Sequence, residues 1–324
     1  MVRRFASAVL RSRLTRSLLR SSPRAVSHFM PVVRALRNER RTTNKTIDPR
    51  YCYAVFLRHH ALLAKLGAHR PGTVLEFGPG DTIGAGLCWL LSGANRYYAL
   101  DAHRYASVED SLQVFEGVVE LFGRREPLPP EFPDMLPAPR DQGYRPDPVD
   151  LSAGRLEEIR SAIRRMDDRE PSGEVQVRYL APWTEDSPIP PGSVDLATSQ
   201  AVLEHVVDLP QLYRAMARWV RPGGIISHNI DIRSHGTSFD ENGHWAYSDR
   251  QWRRANNKQA YRAINRAPRS THLRLMAESG FEVVSAEAHR ELDGIAQRHL
   301  APEWTALSEE DRTCSVLHVV ARRR

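Results

Sequence analysis

Lysine is nearly missing from this sequence of 324 residues: Lys45, Lys65 and Lys258 are the only three, against 43 arginines. The bias reads as base composition rather than chemistry, and it leaves three positions for any Schiff base. Cysteine is as scarce. Cys52, Cys88 and Cys314 are odd in number and far apart, so they form neither a disulfide framework nor a C-x-x-C metal knuckle. They read as small buried apolar side chains in a reducing compartment. No stretch approaches the roughly 18 uncharged apolar residues of a membrane span; the best, Thr82 to Asn95, is too short. The absence of Gly-Lys-Ser/Thr excludes a Walker A phosphate loop. No H-E-x-x-H or other fixed-spacing ligand triad occurs, so no metal is expected. There is no internal repeat.

What remains is an ordinary globular composition, 41% hydrophobic and 26% charged, enough for a sizeable core in two domains or one large decorated one. The net charge of +7 is unevenly spread: residues 1–47 carry eleven arginines, Lys45 and the acid Glu39, and sum to +11, while the other 277 sum to −4. The basicity belongs to a tail rather than to a folded face that grips nucleic acid, and no nucleic-acid partner is expected. In the tail, Leu10, Leu14 and Leu18 keep i, i+4 spacing with Arg13, Arg16 and Arg20 roughly opposite, while Phe5, Val9 and Leu19 blur the stripe. A peripheral anchor on anionic membrane through residues 1–30, an organelle-targeting peptide and a solvated tail all fit. The expected location is cytoplasmic, with membrane contact or organelle targeting as alternatives.

From residue 48 to 324 the pattern is that of one domain. Residues 50–68 read as a helix stopped by Pro71-Gly72. Strands are expected at Thr73–Phe77, Tyr97–Leu100, Val175–Leu180, Val194–Thr198, Ile225–Ile230, Phe281–Ala286 and Cys314–Ala321, and helices at Thr82–Leu91, Leu209–Val220 and Thr271–Ser279. Arg221-Pro222-Gly223-Gly224 reads as the stop after the second of these helices. The alternation predicts a doubly wound α/β sheet. Two pieces exceed what a crossover needs. Residues 102–174 hold two further helices, Ser107–Phe122 and Leu151–Met166, around a stretch with eight prolines from Pro127 to Pro148, which reads as a surface lid, with a binding loop as the alternative. Residues 232–269 follow the fifth strand and are expected to shape an acceptor site.

The strongest chemical signal is Glu76-Phe77-Gly78-Pro79-Gly80-Asp81, where a strand runs into a glycine turn and a helix begins. Gly78 and Gly80 allow close backbone approach to a ligand. Asp101 ends the next strand, beside the switch point where such sheets bind ligands, and a carboxylate there can accept from both hydroxyls of a ribose. The third position of a dinucleotide fingerprint is Ile83, and Asp81 stands where a pyrophosphate would approach, so phosphate is disfavoured. Glu76 suits a ligand with a positive charge. S-adenosylmethionine has an adenosine, a sulfonium and an α-amino group, and no phosphate.

Together with Pro191-Gly192-Ser193-Val194-Asp195-Leu196-Ala197, Val202-Leu203-Glu204-His205-Val206 and Val220-Arg221-Pro222-Gly223-Gly224, these residues resemble the class I S-adenosylmethionine-dependent methyltransferases, nearest to the broad type 11 group that acts on small molecules. The resemblance covers residues 70–105 and 174–231 well and the last strands loosely. It implies a seven-stranded, mostly parallel, Rossmann-like sheet whose last strand runs antiparallel. It also implies S-adenosylmethionine contacts at Glu76, Gly78, Pro79, Gly80, Asp101, Ala181 and Trp183. Many relatives carry an acid near Ala181; this chain has Leu180-Ala181-Pro182-Trp183 there. Ser199-Gln200-Ala201-Val202 lacks the Asp/Asn-Pro-Pro-Tyr/Phe motif of amino-methylating nucleic-acid enzymes, which disfavours base methylation. The fifth-strand exit and Asn242–Asp249 are also similar to bacterial methyltransferases with surface-polysaccharide functions.

A hydroxyl acceptor must lose a proton, and imidazole is the usual base. His228 and His235 are the candidates, with Asp231 to orient one of them and His205 near by; His244, Trp245, Asn265 and Arg266 are expected to wall the acceptor. The reading is methyl transfer to a small molecule or glycan, at oxygen. A nicotinamide-dependent oxidoreductase and a non-catalytic, membrane-tethered binding module on the same fold are the alternatives.

Overall fold

Asp48 and Pro49 start the first long helix: the Asp48 carboxylate accepts the Arg50 amide at 2.9 Å, and the proline occupies the first turn, where no amide is needed. This helix, α1 (Pro49–Lys65), leads into β1 (Thr73–Phe77). There follow α2 (Gly84–Leu91), β2 (Arg96–Leu100), α3 (Val108–Gly123), α4 (Ala153–Arg164), β3 (Gln176–Leu180) and β4 (Val194–Gln200). Then come α5 (Leu209–Trp219), β5 (Val220–Asp231), α6 (Asp249–Ala255), α7 (Arg269–Glu278), β6 (Phe281–Arg290), α8 (Glu309–Thr313) and β7 (Cys314–Arg323). The computed structural model describes residues 45–129, 143–235, 237–238, 240–255, 264–290 and 295–324. The anchor, targeting and solvated-tail readings of residues 1–30 therefore lie outside the described residues. Among the described residues no helix is long and apolar enough to cross a membrane.

The seven strands form one sheet in the order β3-β2-β1-β4-β5-β7-β6. All neighbours pair in parallel except β7, which runs antiparallel to both β5 and β6. This is the expected α/β sheet, reversing its order of winding between β1 and β4. Alternation along each strand feeds two cores. Val74, Tyr97, Ala99, Val177 and Leu196 pack under α1 to α4, and Leu75, Phe77, Leu100, Ala197 and Ile226 pack under α5 and α7.

Most boundaries shift by a residue or two, and three shifts have causes. α2 starts at Gly84 because Thr82 still belongs to the turn, its hydroxyl accepting the Gly84 amide at 3.2 Å. α4 starts after Ser152, whose hydroxyl caps it. Arg221–Gly224 lies inside β5 rather than before it, beside a register shift between Val194 and Leu196. The helices of the 102–174 piece belong to the sheet's own layer: Phe115, Val118 and Phe122 of α3 pack with α1 and α2. The described part of the proline-rich stretch follows them. Tyr144 bonds His60 at 2.6 Å, and Asp147 pairs with Arg70 at 2.8 Å, just before β1. That places 143–148 toward the amino edge of the sheet, away from the glycine turn, so the lid reading fails for these residues; 130–142 lie outside the described ones.

Candidate active site

The glycine turn at the end of β1 is held from three directions. Gly78 and Gly80 have φ of +63° and +84°, the left-handed region open to glycine. The Gly78 amide donates to the Leu100 carbonyl at 2.8 Å, fixing the turn to the end of β2. A methyl group on Gly78 would come within 2.5 Å of Val202, on the loop after β4, and one on Gly80 within 3.0 Å of Thr46. Thr46 belongs to the stretch read as tail, yet it rests on the turn. Its hydroxyl accepts the Asp81 amide at 2.8 Å, and its carbonyl accepts the Thr82 hydroxyl and, at 3.2 Å, the Cys52 thiol. Sequence reasoning missed it; the signal available was its place just before the Asp48-Pro49 helix start.

Two carboxylates flank the turn. Glu76, only 5% exposed, faces the α1/α2 layer and accepts the Tyr97 hydroxyl at 2.6 Å. Burial drives its carboxyl up to about 7 against the pull of that bond, with the Asp101 charge adding to the rise. Asp101 follows β2 and accepts the Ala102 amide at 2.7 Å. Burial raises its pKa too, while the amides of Ala102, His103 and Gly80 favour its charged form. The two acids therefore meet across adjacent strand tips, and the Gly80 amide touches the field of the second. Ala181 is half-buried after β3, on a cis bond to Pro182. The Trp183 amide donates to the Asp101 carbonyl at 3.1 Å, and its ring packs edge-on against Phe77 at 5.3 Å. Pro79 lies buried between the two glycines.

A positive-φ glycine turn, the carboxyls of Glu76 beneath it and Asp101 beside it, and Asp81 in the turn before α2 make an acidic environment that disfavours phosphate. Those residues fit a cationic nucleoside such as S-adenosylmethionine. Of the four exposed large apolar side chains among the described residues, three stand on segments beside this edge: Ile47 next to Thr46, Tyr105 after β2 and Val207 after β4.

The exits of β4 and β5 carry the second group. Glu204 and His205 sit on a single helical turn, Leu203–His205. Asp231 ends β5, and Arg233 grips it through Nε at 2.8 Å and a terminal nitrogen at 2.6 Å. His235 Nε2 is 3.3 Å from Asp231, and the His205 and His235 rings lie 5.1 Å apart. Burial opposes the charged form of Asp231, but the bonds from Arg233 and His235 outweigh it and hold its carboxyl well below the usual range.

The other expected residues are placed differently. His228 lies within the body of β5, fully enclosed, with Nδ1 2.8 Å from the Ser199 hydroxyl. Burial, helped by His272 and His318, lowers it to about 3. Enclosure leaves it no path to an acceptor, which is a correction to the expectation of a base there. Trp245 is core, its indole donating to the Arg266 carbonyl at 3.0 Å. His244 is wholly buried beside it and lowered to about 3, by burial first and then by Arg266. Arg266 lies over the rings of Trp252 and Trp304 and pairs with Asp249. Asn265 donates to the Leu203 and Val206 carbonyls at 2.8 and 2.9 Å and accepts the Ala267 amide at 2.9 Å. Asn265 is occupied in holding the 203–206 turn, Trp245 and Arg266 in bonding the segment behind it, and His244 is enclosed, so none of them walls an acceptor as the spacing suggested. A cleft of about 680 Å³ opens at the opposite, amino edge, lined by Arg70, Asp147 and Arg155, and lies far from this chemistry.

The family model for a methyltransferase domain matches residues 50–286. No curated protein matches the sequence. Among solved structures, an S-adenosylmethionine-dependent methyltransferase of Mesorhizobium loti is 19% identical, the match covering 82% of this chain and 100% of that one with a TM-score of 0.39. A protein assigned to the same activity in Listeria monocytogenes is 14% identical over 84% and 98%, at 0.40. At such scores the likeness adds nothing to the family match.

Proposed function

The chain belongs to the methyltransferase-domain family, and from that premise we propose that it methylates a hydroxyl oxygen of a small molecule or glycan. S-adenosylmethionine is the expected donor, and when bound it supplies a methyl carbon on a cationic sulfur, open to in-line attack. The observation that carries the reading is the convergence of Glu76 and Asp101 on a turn shaped by positive-φ glycines. Asp101 suits the ribose hydroxyls, the bare backbone of Gly78 and Gly80 permits close approach, and Glu76 beneath the turn balances positive charge. Trp183 and Ala181 lie on the next strand exit, where the base would lie.

Methyl transfer asks the protein chiefly for positioning and exclusion of water. The proton of an acceptor hydroxyl falls to the His205–His235 pair, with Asp231 fixing the second ring. Ile47, Tyr105 and Val207 give the acceptor an apolar rim.

Calorimetry with S-adenosylhomocysteine and with NAD⁺ tests the donor. Binding of the first alone supports the reading; binding of NAD⁺ alone overturns it and favours an oxidoreductase. Incubation with isotopically labelled donor and a panel of hydroxylated small molecules and sugars tests the acceptor by mass spectrometry. A label on oxygen is the expected result, and a label on nitrogen or carbon refutes it.

A further inference from the structure

Glu204, His205 and His235 each place one donor atom within 4.8 Å of the other two. His205 Nε2 is 4.0 Å from Glu204 Oε1. The Glu204 side chain is 4% exposed, and neither carboxylate oxygen has a hydrogen-bond partner among the described residues. A buried carboxylate left in this condition costs several kcal/mol unless a charge or proton answers it. The backbone amides of Glu204 and Asp231 stand near it, but the Asp231 charge adds repulsion. Arg233, the cation close by, is already engaged by both Asp231 oxygens. A positive charge is lacking where three ligand atoms converge.

We infer that Glu204, His205 and His235 bind a divalent first-row transition-metal ion. Two imidazoles and one carboxylate suit zinc, manganese or ferrous iron, and exclude the all-oxygen cages that magnesium and calcium prefer. The supporting shell is present. Asp231 lies 3.3 Å from His235 Nε2, so with Nδ1 on the ion it orients that ring as carboxylates behind metal-bound histidines do. Asn265 pins the carbonyls on both sides of Glu204 and His205. The sequence shows no fixed-spacing triad because these donors come from two segments that the pairing of β4 with β5 brings together. The site adjoins the cofactor turn, since Val202, two residues before Glu204, is the side chain that encloses Gly78. His205 and His235 are partly exposed, so the ion keeps coordination positions facing outward. An acceptor hydroxyl taking one of them would lose its proton more readily. That use rests on the methyl-transfer reading, and with an ion in place the imidazoles act as ligands rather than bases; binding of the ion depends on neither.

The test uses the full-length protein, stripped with a chelator and titrated with Mn²⁺ by electron paramagnetic resonance and with Zn²⁺ by calorimetry. One ion per chain at micromolar concentration is expected. Glu204→Gln and His235→Asn should each weaken binding by more than the roughly 10- to 100-fold that loss of an outer-shell partner costs, without loss of folded circular dichroism. His205→Ala, at the most exposed of the three positions, gives the same readout should a buried variant not fold. No saturable binding at millimolar ion, or one-to-one binding that survives all three substitutions, overturns the site. S-adenosylhomocysteine binding, measured on the same samples, keeps the two readings apart: retained without any ion binding, it sinks the metal site and leaves methyl transfer standing.

Discussion

The hydroxyl of Tyr97 lies 2.6 Å from Glu76 Oε2, reaching two residues further along β1 than its own register partner, Val74. Through this bond the second strand holds the acid that underlies the glycine turn. The bond favours the charged form of Glu76, yet burial wins and its carboxyl stands near 7.

A pH dependence follows from that value. Between the ordinary value of 4.5 and about 7, the folded protein keeps a proton that the unfolded chain has released. The stability Glu76 contributes is therefore full below 4.5 and lost as pH rises through 7. Glu76→Gln keeps an acceptor for Tyr97 and never ionises. It should match the wild type at pH 4.5 and melt higher at pH 8, by an amount worth roughly 3 kcal/mol at most. Melting curves of both proteins across this range decide it, and parallel pH profiles would refute it.

Asp101→Asn separates donor binding from folding. The substitution preserves shape and removes a buried charge, so the melting temperature should hold or rise slightly. Charge-assisted hydrogen bonds are worth about 1.5–3 kcal/mol, so affinity for S-adenosylhomocysteine should fall about 10- to 100-fold. Unchanged affinity by calorimetry would remove Asp101 from the cofactor site.

Gly78 and Gly192 share a φ of +63°, but only at Gly78 does a methyl group meet a neighbour, Val202, at 2.5 Å. Gly192→Ala should cost the backbone strain of about 1 kcal/mol. Gly78→Ala should cost about 1–3 kcal/mol more, from overpacking. Adding Val202→Ala should recover part of the difference in chemical denaturation. Equal costs at the two glycines would mean that the loop after β4 does not enclose the turn.

Asn265 is occupied by three backbone groups, and buried groups left unpaired cost about 1–3 kcal/mol each. Asn265→Ala should therefore lower stability by about 2 kcal/mol or more. A raised KM for the acceptor with an unchanged melting temperature would instead restore it as a binding residue.

Much of the glycine-turn geometry was legible in the chain. Gly78, Gly80 and the acids at 76 and 101 belong to local patterns, a strand running into a turn and a carboxylate at the next strand end, and parallel pairing of β1 with β2 carries such patterns straight into space. The region beyond β4 and β5 was not, because its residues acquire meaning from partners far along the chain. Trp245, Asn265 and Arg266 look like pocket residues by type, but their polar groups are consumed by the carbonyls of Arg266, Leu203 and Tyr247 in turn. His228 looked like an edge residue, yet register pairs it with Ser199 inside the sheet. Glu204 passed as part of a family motif, and only its burial reveals a carboxyl with no hydrogen-bond partner among the described residues.

Thr46 links two parts of the chain that otherwise have separate business. Lys45–Ile47 is one helical turn between the arginine-rich first residues and the Asp81 amide and Thr82 hydroxyl. Any surface or partner that draws this turn away from Gly80 must break those bonds, and on the proposed reading, with the donor seated on that turn, it alters the affinity of the donor. Thermodynamic reciprocity makes the converse compulsory: donor occupancy changes the grip of that surface by the same factor.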